Sequence, residues 1–302
     1  MTRCIFLINA LSLLFLSTAL PAASIAILMQ QEKEGALSEG PLAGFKAIAG
    51  PDVAQFEITD PGAAQAICAK IKASGAKVVF TIGKDATKAA MQELPGMPIV
   101  YCMVMSPQED GIGGGSVTGV TLDIPMVKQF TSFKSVVPNL KKIGIVYSDE
   151  TSGIIAKEMK AAAVKTGVTV IEKKVASDKD VPNAIRELKG KIDGLYLPPD
   201  RTVANRDAFQ FIALFTFENN LPFMAPAGRF VKKGALVALM IDFEELGKQA
   251  AAMAKKIVGG ASPSSIPVEP PQATILVLNQ KTAQTIGINI PPSLLETSQI
   301  IK

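Results

Sequence analysis

Residues 142–175 of this 302-residue chain read KIGIVYSDETSGIIAKEMKAAAVKTGVTVIEKKV. The first run, Lys142–Tyr147, is largely apolar and rich in Ile and Val, which is typical of a strand buried on both faces of a parallel sheet. Residues 152–166 have the composition of a helix, and residues 169–175 return to β-branched side chains. The stretch therefore predicts one right-handed βαβ unit.

The same alternation extends outward in both directions. Strands are predicted before it at 24–29, 52–58, 77–82 and 98–104, with helices at 34–48, 61–74, 85–93 and 125–137. After it follow helix 181–189, strand 192–197, helix 203–219 and strand 222–225. The break between the two series is predicted near residues 111–119, where residues 111–116 (GIGGGS) suit a turn and suit a helix poorly. The fold class predicted is α/β, with two Rossmann-like lobes that have parallel sheets and are joined by a multi-strand hinge.

Three elements near the C-terminus are predicted to cross between the lobes: strand 235–241, helix 243–258 and strand 273–278. The N-terminal lobe is therefore predicted to hold residues 24–120 plus 241–268. The C-terminal lobe is predicted to hold residues 121–240 plus 269–302. Two such lobes form a hinged cleft, because ligands of open α/β sheets bind beyond the carboxyl ends of the strands.

The N-terminus predicts export. Arg3 precedes an uncharged, mostly apolar run, 4–20, and the small-residue stretch PAAS, 21–24. This order is typical of a secretory signal peptide, predicted here as residues 1–23 and cleaved after Ala22 or Ala23. The mature chain is expected in the periplasm.

Composition excludes several classes of function. The chain has no His, so Ser-His-Asp triads and His-ligated metals are impossible. Its formal net charge is +4 with basic residues no denser than pairs, so no nucleic-acid partner is expected. Cys68 and Cys102 either pair in an oxidising compartment or remain two buried thiols. The expectation is a protein that is not an enzyme and has no cofactor and no metal.

Polar and adaptable side chains follow the predicted strands of the first lobe, at the edge that faces the cleft. The candidate ligand-binding residues of this lobe are Gln31, Gly83, Lys84, Asp85, Met105 and Ser106. The segment from Gly83 joins a strand to a helix, so its N–H groups are candidates for binding a carboxylate, unless Asp85 merely caps the helix. Met105 either lines an apolar pocket or fills the core.

The other candidates are Asp242, which follows the returning crossover strand, and six residues of the second lobe: Tyr147, Ser148, Thr151, Ser152, Pro199 and Asp200. The hydroxyls after Tyr147 are candidate donors to a carboxylate, and the alternative is an N-cap by Asp149 or Thr151. Asp200 is predicted to pair with an ammonium group of the ligand. Asp242 is either a second ammonium partner or the cap of the helix that follows it.

Three stretches near the C-terminus carry a family resemblance: 267–271 (PVEPP), 276–283 (LVLNQKTA) and 287–295 (GINIPPSLL). Segments 44–46, 118–120 and 196–200 extend it along the chain. The sequence resembles the ABC transporter substrate-binding family that includes tryptophan- and tyrosine-type receptors, whose fold is similar to type I periplasmic binding proteins. The prolines of the C-terminal stretches are predicted to be structural, with Pro291 and Pro292 stopping a helix that begins near Lys281.

The resemblance implies that two closing lobes capture a small molecule, an amino acid or related carboxylate, for an importer. The implied partners are this ligand and an ABC permease in the inner membrane, and the chain is expected to be a monomer. Two alternatives stay open: a ligand-sensing subunit for a membrane receptor, without transport, and a structural or adhesion protein.

Overall fold

The computed structural model describes residues 23–31 and 37–302, so the predicted signal peptide lies outside the described residues except for Ala23. The described chain forms two α/β lobes, each built on its own sheet. Strands of the first sheet are parallel throughout, and those of the second are mostly parallel. The predicted fold class is confirmed.

The first sheet has the order β2-β1-β3-β4-β5. Its strands are β1 (Ile25–Gln30), β2 (Val53–Ile58), β3 (Val78–Ile82), β4 (Ile99–Val104) and β5 (Val117–Thr121). The helices between them are α1 (Glu39–Ala49), α2 (Ala64–Ala73) and α3 (Lys84–Glu93). Alternate residues of β1 enter different core clusters, Ile25 and Ile27 in one and Ala26 and Leu28 in the other, as expected for a sheet covered on both faces.

The second sheet has the order β12-β11-β10-β9-β8-β6-β7. Its strands are β6 (Lys142–Tyr147), β7 (Thr169–Lys174), β8 (Gly194–Tyr196), β9 (Phe223–Met224), β10 (Val237–Ile241), β11 (Thr274–Asn279) and β12 (Gln299–Ile301). The remaining helices are α4 (Met126–Val136), α5 (Asp149–Thr166), α6 (Val181–Leu188), α7 (Arg206–Glu218), α8 (Gly228–Val231), α9 (Phe243–Val258), α10 (Gln280–Thr285) and α11 (Pro292–Thr297). Of these, α9 packs on α1 and on β3, β4 and β5 of the first lobe. The β10–β11 pair is antiparallel, so the connection between these strands needs no crossover helix packed on the second sheet.

Three connections between the sheets lie together: those after β5, after β10 and before β11. The Thr121 N–H donates to the Glu269 carbonyl (2.9 Å), and the Glu269 N–H donates to the Gly119 carbonyl (3.0 Å). The Asp242 N–H donates to the Ala273 carbonyl (3.4 Å). We propose these connections as the hinge, with the lobe boundaries predicted from the sequence.

Glycines set the distance between α1 and α9. A Cβ atom on Gly44 would lie 1.9 Å from the Glu244 carbonyl oxygen, and one on Gly247 would lie 2.0 Å from the Pro41 carbonyl oxygen. Both glycines are buried. The two helix backbones therefore touch at a separation that only glycine permits.

Residues 111–119 were predicted to be a break, but the structure places 117–119 inside the buried strand β5. A Cβ atom on Gly119 would lie 2.3 Å from the Tyr101 carbonyl oxygen and 2.6 Å from the first carbon of its ring. Gly119 is thus a strand glycine that makes room for an aromatic side chain of the neighbouring strand. The break between the two series therefore lies after β5, which belongs to the first sheet, and not within residues 117–119.

The role predicted for Pro291 and Pro292 is also wrong. Helix α10 ends at Thr285, before Gly287, which has a positive φ of 75°. Pro292 is instead the first residue of α11, where its missing N–H costs no intrahelical hydrogen bond.

Of the two possibilities left open for the cysteines, the structure has the free thiols. Cys68 and Cys102 are both buried and unpaired with each other. Burial raises the pKa of both thiols, for Cys68 with a smaller contribution from Glu93. Neither thiol therefore has the lowered pKa of a reactive cysteine.

Candidate functional site

Most predicted site residues lie at the two places where ligands bind in open α/β sheets. In the first sheet, the connections from neighbouring strands β1 and β3 lead to opposite sides, and the same holds for β6 and β8 in the second. A crevice forms at such a switch point, beyond the carboxyl ends of the strands. Gln31 and Gly83 follow β1 and β3, whereas Ser148 and Asp200 follow the β6 and β8 regions.

The loop after β3 is held by hydroxyl groups. Gly83 has φ 91° and precedes α3, and no side chain caps this helix, so the capping role considered for Asp85 is wrong. The Thr87 hydroxyl donates to the Gly83 carbonyl (2.8 Å) and shares a hydrogen bond with the Thr81 hydroxyl (2.8 Å). Lys84 forms an ion pair with Asp110 (3.3 Å). The first turn of α3 thus presents N–H groups without a side-chain acceptor.

The other first-lobe candidates lie at the ends of their strands, where Gln31 and Met105 are exposed and Ser106 is half-buried. Gln31 is exposed, and its N–H donates to the Ile58 carbonyl (2.9 Å). Met105 has 62 % of its surface exposed, so it does not fill the core. Ser106 has a positive φ of 48°, and its N–H donates to an Asp123 carboxylate oxygen (3.4 Å). These contacts all stay within the first lobe or the adjoining connection.

Asp200 joins the two switch-point loops of the second lobe. Its carboxylate is 1 % exposed, and its oxygens accept the N–H groups of Ser148 (2.8 Å) and Thr202 (2.8 Å). Its own N–H donates to the Pro198 carbonyl, and Pro199 beside it lines a surface cavity. The structure therefore gives the carboxylate two backbone donors within the protein.

Helix α5 begins three residues earlier than predicted and is distorted at Ser152. Ser148 is its N-cap residue, in extended conformation and without a side-chain cap bond, so the capping role considered for Asp149 or Thr151 is wrong. Ser152 has non-helical angles (φ −134°, ψ 16°) and is 1 % exposed. Its hydroxyl oxygen is buried and makes no hydrogen bond to residues 23–31 or 37–302. Thr151 is exposed in the same turn.

Tyr147 ends β6 among charged side chains. Its hydroxyl donates to a Glu172 carboxylate oxygen (3.2 Å), and the Lys174 ammonium lies 5.9 Å from the centre of its ring. Burial and the Glu172 carboxylate raise the pKa of Tyr147, so the phenol remains protonated. Lys174 also pairs with Asp149 (2.9 Å), which fixes the outer side of the α5 N-terminus.

Of the two roles considered for Asp242, ammonium partner or helix cap, the structure shows the helix cap. One carboxylate oxygen accepts the N–H groups of Glu244 and Glu245, each at 3.1 Å, and so caps α9. The residue lies in the connection after β10, away from the loops of Ser148 and Asp200 in the chain.

Sequence reasoning missed part of the second-lobe edge. Pro199 and Asp200 line a cavity of about 480 Å³ together with Asn205 from the same loop. The loop after β9 and the helix α8, which contains Arg229, form its other side. The short helix α8 gave no periodic signal, because four residues make barely one turn. Within residues 23–31 and 37–302, no group of three or more Cys, Asp or Glu side chains is placed to hold a metal ion.

Residues 44–302 match the model of a protein family described as ABC transporter substrate binding protein. The chain belongs to this family. It is similar to a tyrosine-binding protein of Clostridioides difficile strain R20291, with 29 % identity over 232 residues, 74 % of this chain and 67 % of that protein. An uncharacterized protein of Rickettsia prowazekii is 24 % identical over 224 residues, 74 % of this chain and 71 % of that one.

Two solved structures of similar proteins cover almost the whole substrate-binding fold. The ligand-free, open structure of a substrate binding protein with adhesive properties from Clostridium difficile has 26 % identity and a TM-score of 0.76, covering 92 % of this chain and 98 % of that one. A domain from Streptococcus pneumonia in complex with L-Trp has 25 % identity and a TM-score of 0.56, covering 92 % and 99 %. In the described part of this family member, no helix is long and apolar enough to cross a membrane.

Proposed function

We propose that this chain is a periplasmic solute-binding protein of an ABC importer, which captures an amino acid or related carboxylate between its two lobes. The observation that carries the proposal is the buried hydroxyl of Ser152 at the distorted start of α5, which has no hydrogen-bond partner among the described residues. A buried polar group without a partner costs free energy in the folded protein, so it calls for a function. A ligand oxygen at this switch point would supply the missing partner.

The chemistry of the α5 N-terminus favours a carboxylate. The first N–H groups of a helix have no acceptor within the helix and carry partial positive charge. The hydroxyls of Ser148 and Ser152 add donors in the same turn, and both residues are more than 90 % buried. The unfilled N–H groups at the start of α3 offer a comparable surface on the first lobe.

Asp200 supports this site as a positioning residue. Its carboxylate holds the N–H of Ser148 and so fixes the residue from which α5 begins. Because the side chain is 1 % exposed and already has two donors, we propose that it orients the carboxylate-binding turn. A direct bond from Asp200 to a ligand ammonium group is the weaker proposal.

The comparison with the two solved structures supports closure of the lobes. Identity and coverage are nearly the same for both, yet the TM-score is much higher with the ligand-free, open structure than with the L-Trp complex. A different angle between the two lobes would lower a TM-score taken over both lobes, even where each lobe by itself is unchanged. We therefore propose that this structure is the open form and that ligand binding brings the lobes together.

A panel of free amino acids and small carboxylates, tested by thermal melting of the mature chain, checks the ligand class. A ligand present at about 100 times its Kd is expected to stabilise the protein by about 2.7 kcal/mol. If one class of compound raises the Tm, deletion of the gene then separates import from sensing, because only an importer subunit is required for uptake. Uptake that survives deletion would favour the ligand-sensing alternative.

Replacing Ser152 by Ala is expected to separate binding from stability. The variant removes an unsatisfied buried hydroxyl, so its Tm without ligand should equal or exceed that of the wild type. Its Kd for the amino acid found in the panel should rise about tenfold, the equivalent of one hydrogen bond to a charged group. Isothermal titration calorimetry measures this directly.

Ser298→Ala is the matched control. The Ser298 hydroxyl is also buried without a partner, but it lies before β12, far along the chain from the switch-point loops. Its loss should leave the Kd unchanged. Equal affinity of Ser152→Ala and wild type would remove the main support for the carboxylate site.

A further inference from the structure

The strongest unexplained feature is a basic cavity at the carboxyl edge of the second sheet. It consists of two adjoining cavities of about 480 and 850 Å³ that share a wall formed by Ala204, Asn205, Arg229 and Phe230. Four basic side chains line this basic cavity: Arg201, Arg206, Arg229 and Lys233. Among the described residues, the one acid in its lining is Asp200, which is buried and accepts hydrogen bonds from two backbone N–H groups.

The basic side chains have no acidic partner within the described residues. No carboxylate of residues 23–31 and 37–302 lies within 4.0 Å of the charged nitrogens of these four side chains. Asp207, beside Arg206 at the α7 N-terminus, and Asp178, whose carboxylate accepts a hydrogen bond from the Asn205 amide nitrogen (3.4 Å), line neither half of the cavity. An excess of unpaired positive charge in a concave surface raises the local concentration of anions.

The cavity wall holds its shape through polar contacts. The Asn205 amide oxygen accepts the Ala208 N–H (2.9 Å), and its amide nitrogen donates to the Thr202 carbonyl (3.1 Å). The Arg229 guanidinium lies 4.6 Å from the centre of the Phe230 ring, so the ring restricts its orientation. Asn205 and Phe230 thus form a fixed wall beside the arginines.

We propose that the basic cavity binds a carboxylate or phosphate group carried by the ligand, in addition to the carboxylate bound at α5. This rests on the proposed function for the amino-acid part of the ligand. Asp200 contributes to both places: it lines the cavity and fixes Ser148 at the start of α5. The substrate class is therefore an amino acid with a second anionic group. Arg201 and Arg229 are the specificity residues, since a guanidinium matches both carboxylate and phosphate.

The test compares pairs of compounds that differ by one anionic group: L-glutamine with L-glutamate, and L-tyrosine with O-phospho-L-tyrosine. Titration calorimetry of the mature chain is expected to show the anionic member of at least one pair binding tenfold or more tightly. The double variant Arg201→Gln/Arg229→Gln should lose that preference, with a smaller loss in each single variant. Lys232→Gln, an exposed neighbour outside the cavity lining, is the matched control and should keep the preference.

Thermal melting with inorganic phosphate alone shows whether the cavity binds a free anion or only an anionic group carried by an amino acid. It also separates this inference from the proposed function. If phosphate raises the Tm of the wild type but not of the double variant while no amino acid binds, the cavity is an anion site and the amino-acid proposal fails. Equal binding within both pairs and no effect of phosphate would overturn the inference. So would an anion preference that survives in the double variant with an unchanged Tm.

Discussion

Gly247→Val is expected to lower the free energy of unfolding by about 3 kcal/mol or more, the upper part of the range for overpacked cores. The added Cβ would lie 2.0 Å from the Pro41 carbonyl oxygen and 2.8 Å from the Phe45 backbone nitrogen. Both are main-chain atoms, so the clash is relieved only if α1 and α9 move apart. Thermal melting should show a loss of roughly 6–12 °C.

Gly153→Ala in α5 is the control for this change. The nearest atom to its added Cβ is a flexible Asp149 carboxylate oxygen at 3.1 Å, in the same helix. Because alanine is the better helix former, stability should stay equal or rise by up to ~1 kcal/mol. If Gly247→Val had the same Tm as the wild type, α9 would not pack on α1 as described.

Asp200→Ala is expected to reduce both stability and ligand affinity. It leaves the buried Ser148 N–H and the half-buried Thr202 N–H without their acceptor, which costs about 2–4 kcal/mol. Because Ser148 starts α5, the carboxylate-binding turn should lose its geometry, and the Kd for the amino acid should rise tenfold or more. Denaturant unfolding and calorimetry measure the two effects.

Asp193→Ala provides a control with the same chemistry at the opposite edge of the sheet. One Asp193 oxygen also accepts two backbone N–H groups, those of Lys141 (3.0 Å) and Lys142 (2.8 Å), but the side chain is exposed. Water can replace its hydrogen bonds, so a loss within about 1 kcal/mol and an unchanged Kd are expected. If Asp200→Ala lost stability but bound ligand normally, its role in positioning the site would be refuted.

The periodicity of apolar residues in the sequence predicts most of the helices and strands of the fold. Strand β6 and helix α9 have the bounds that their apolar patterns predict, because each is flanked by residues that suit neither state. The strands that the periodicity missed, β5 and β12, are edge strands of five and three residues, each paired in its sheet with the strand before it. Gly119 shows the reason most clearly, since its contact with Tyr101 cannot be deduced from local sequence.

The sequence located the loops of the candidate site but not the role of each residue. Counting strand ends placed Ser148, Ser152 and Asp200 at one switch point, which needs only the order of elements. The positioning role proposed for Asp200 needed the structure, because its two backbone partners are provided by loops that meet only in the folded lobe. The basic cavity needed the structure as well, since Arg201 and Arg229 follow different strands.

The contact between α1 and α9 also has a consequence for the order in which the chain is made. Residue 49 leaves the ribosome roughly 10–40 s before residue 258 at ordinary rates of synthesis. During that time, Gly44 and the face around it lack the helix that covers them in the finished protein. The first lobe therefore cannot finish folding until nearly the whole polypeptide has been synthesised. For the periplasmic location proposed above, this delay would keep the chain incompletely folded until it has been threaded through a translocation channel.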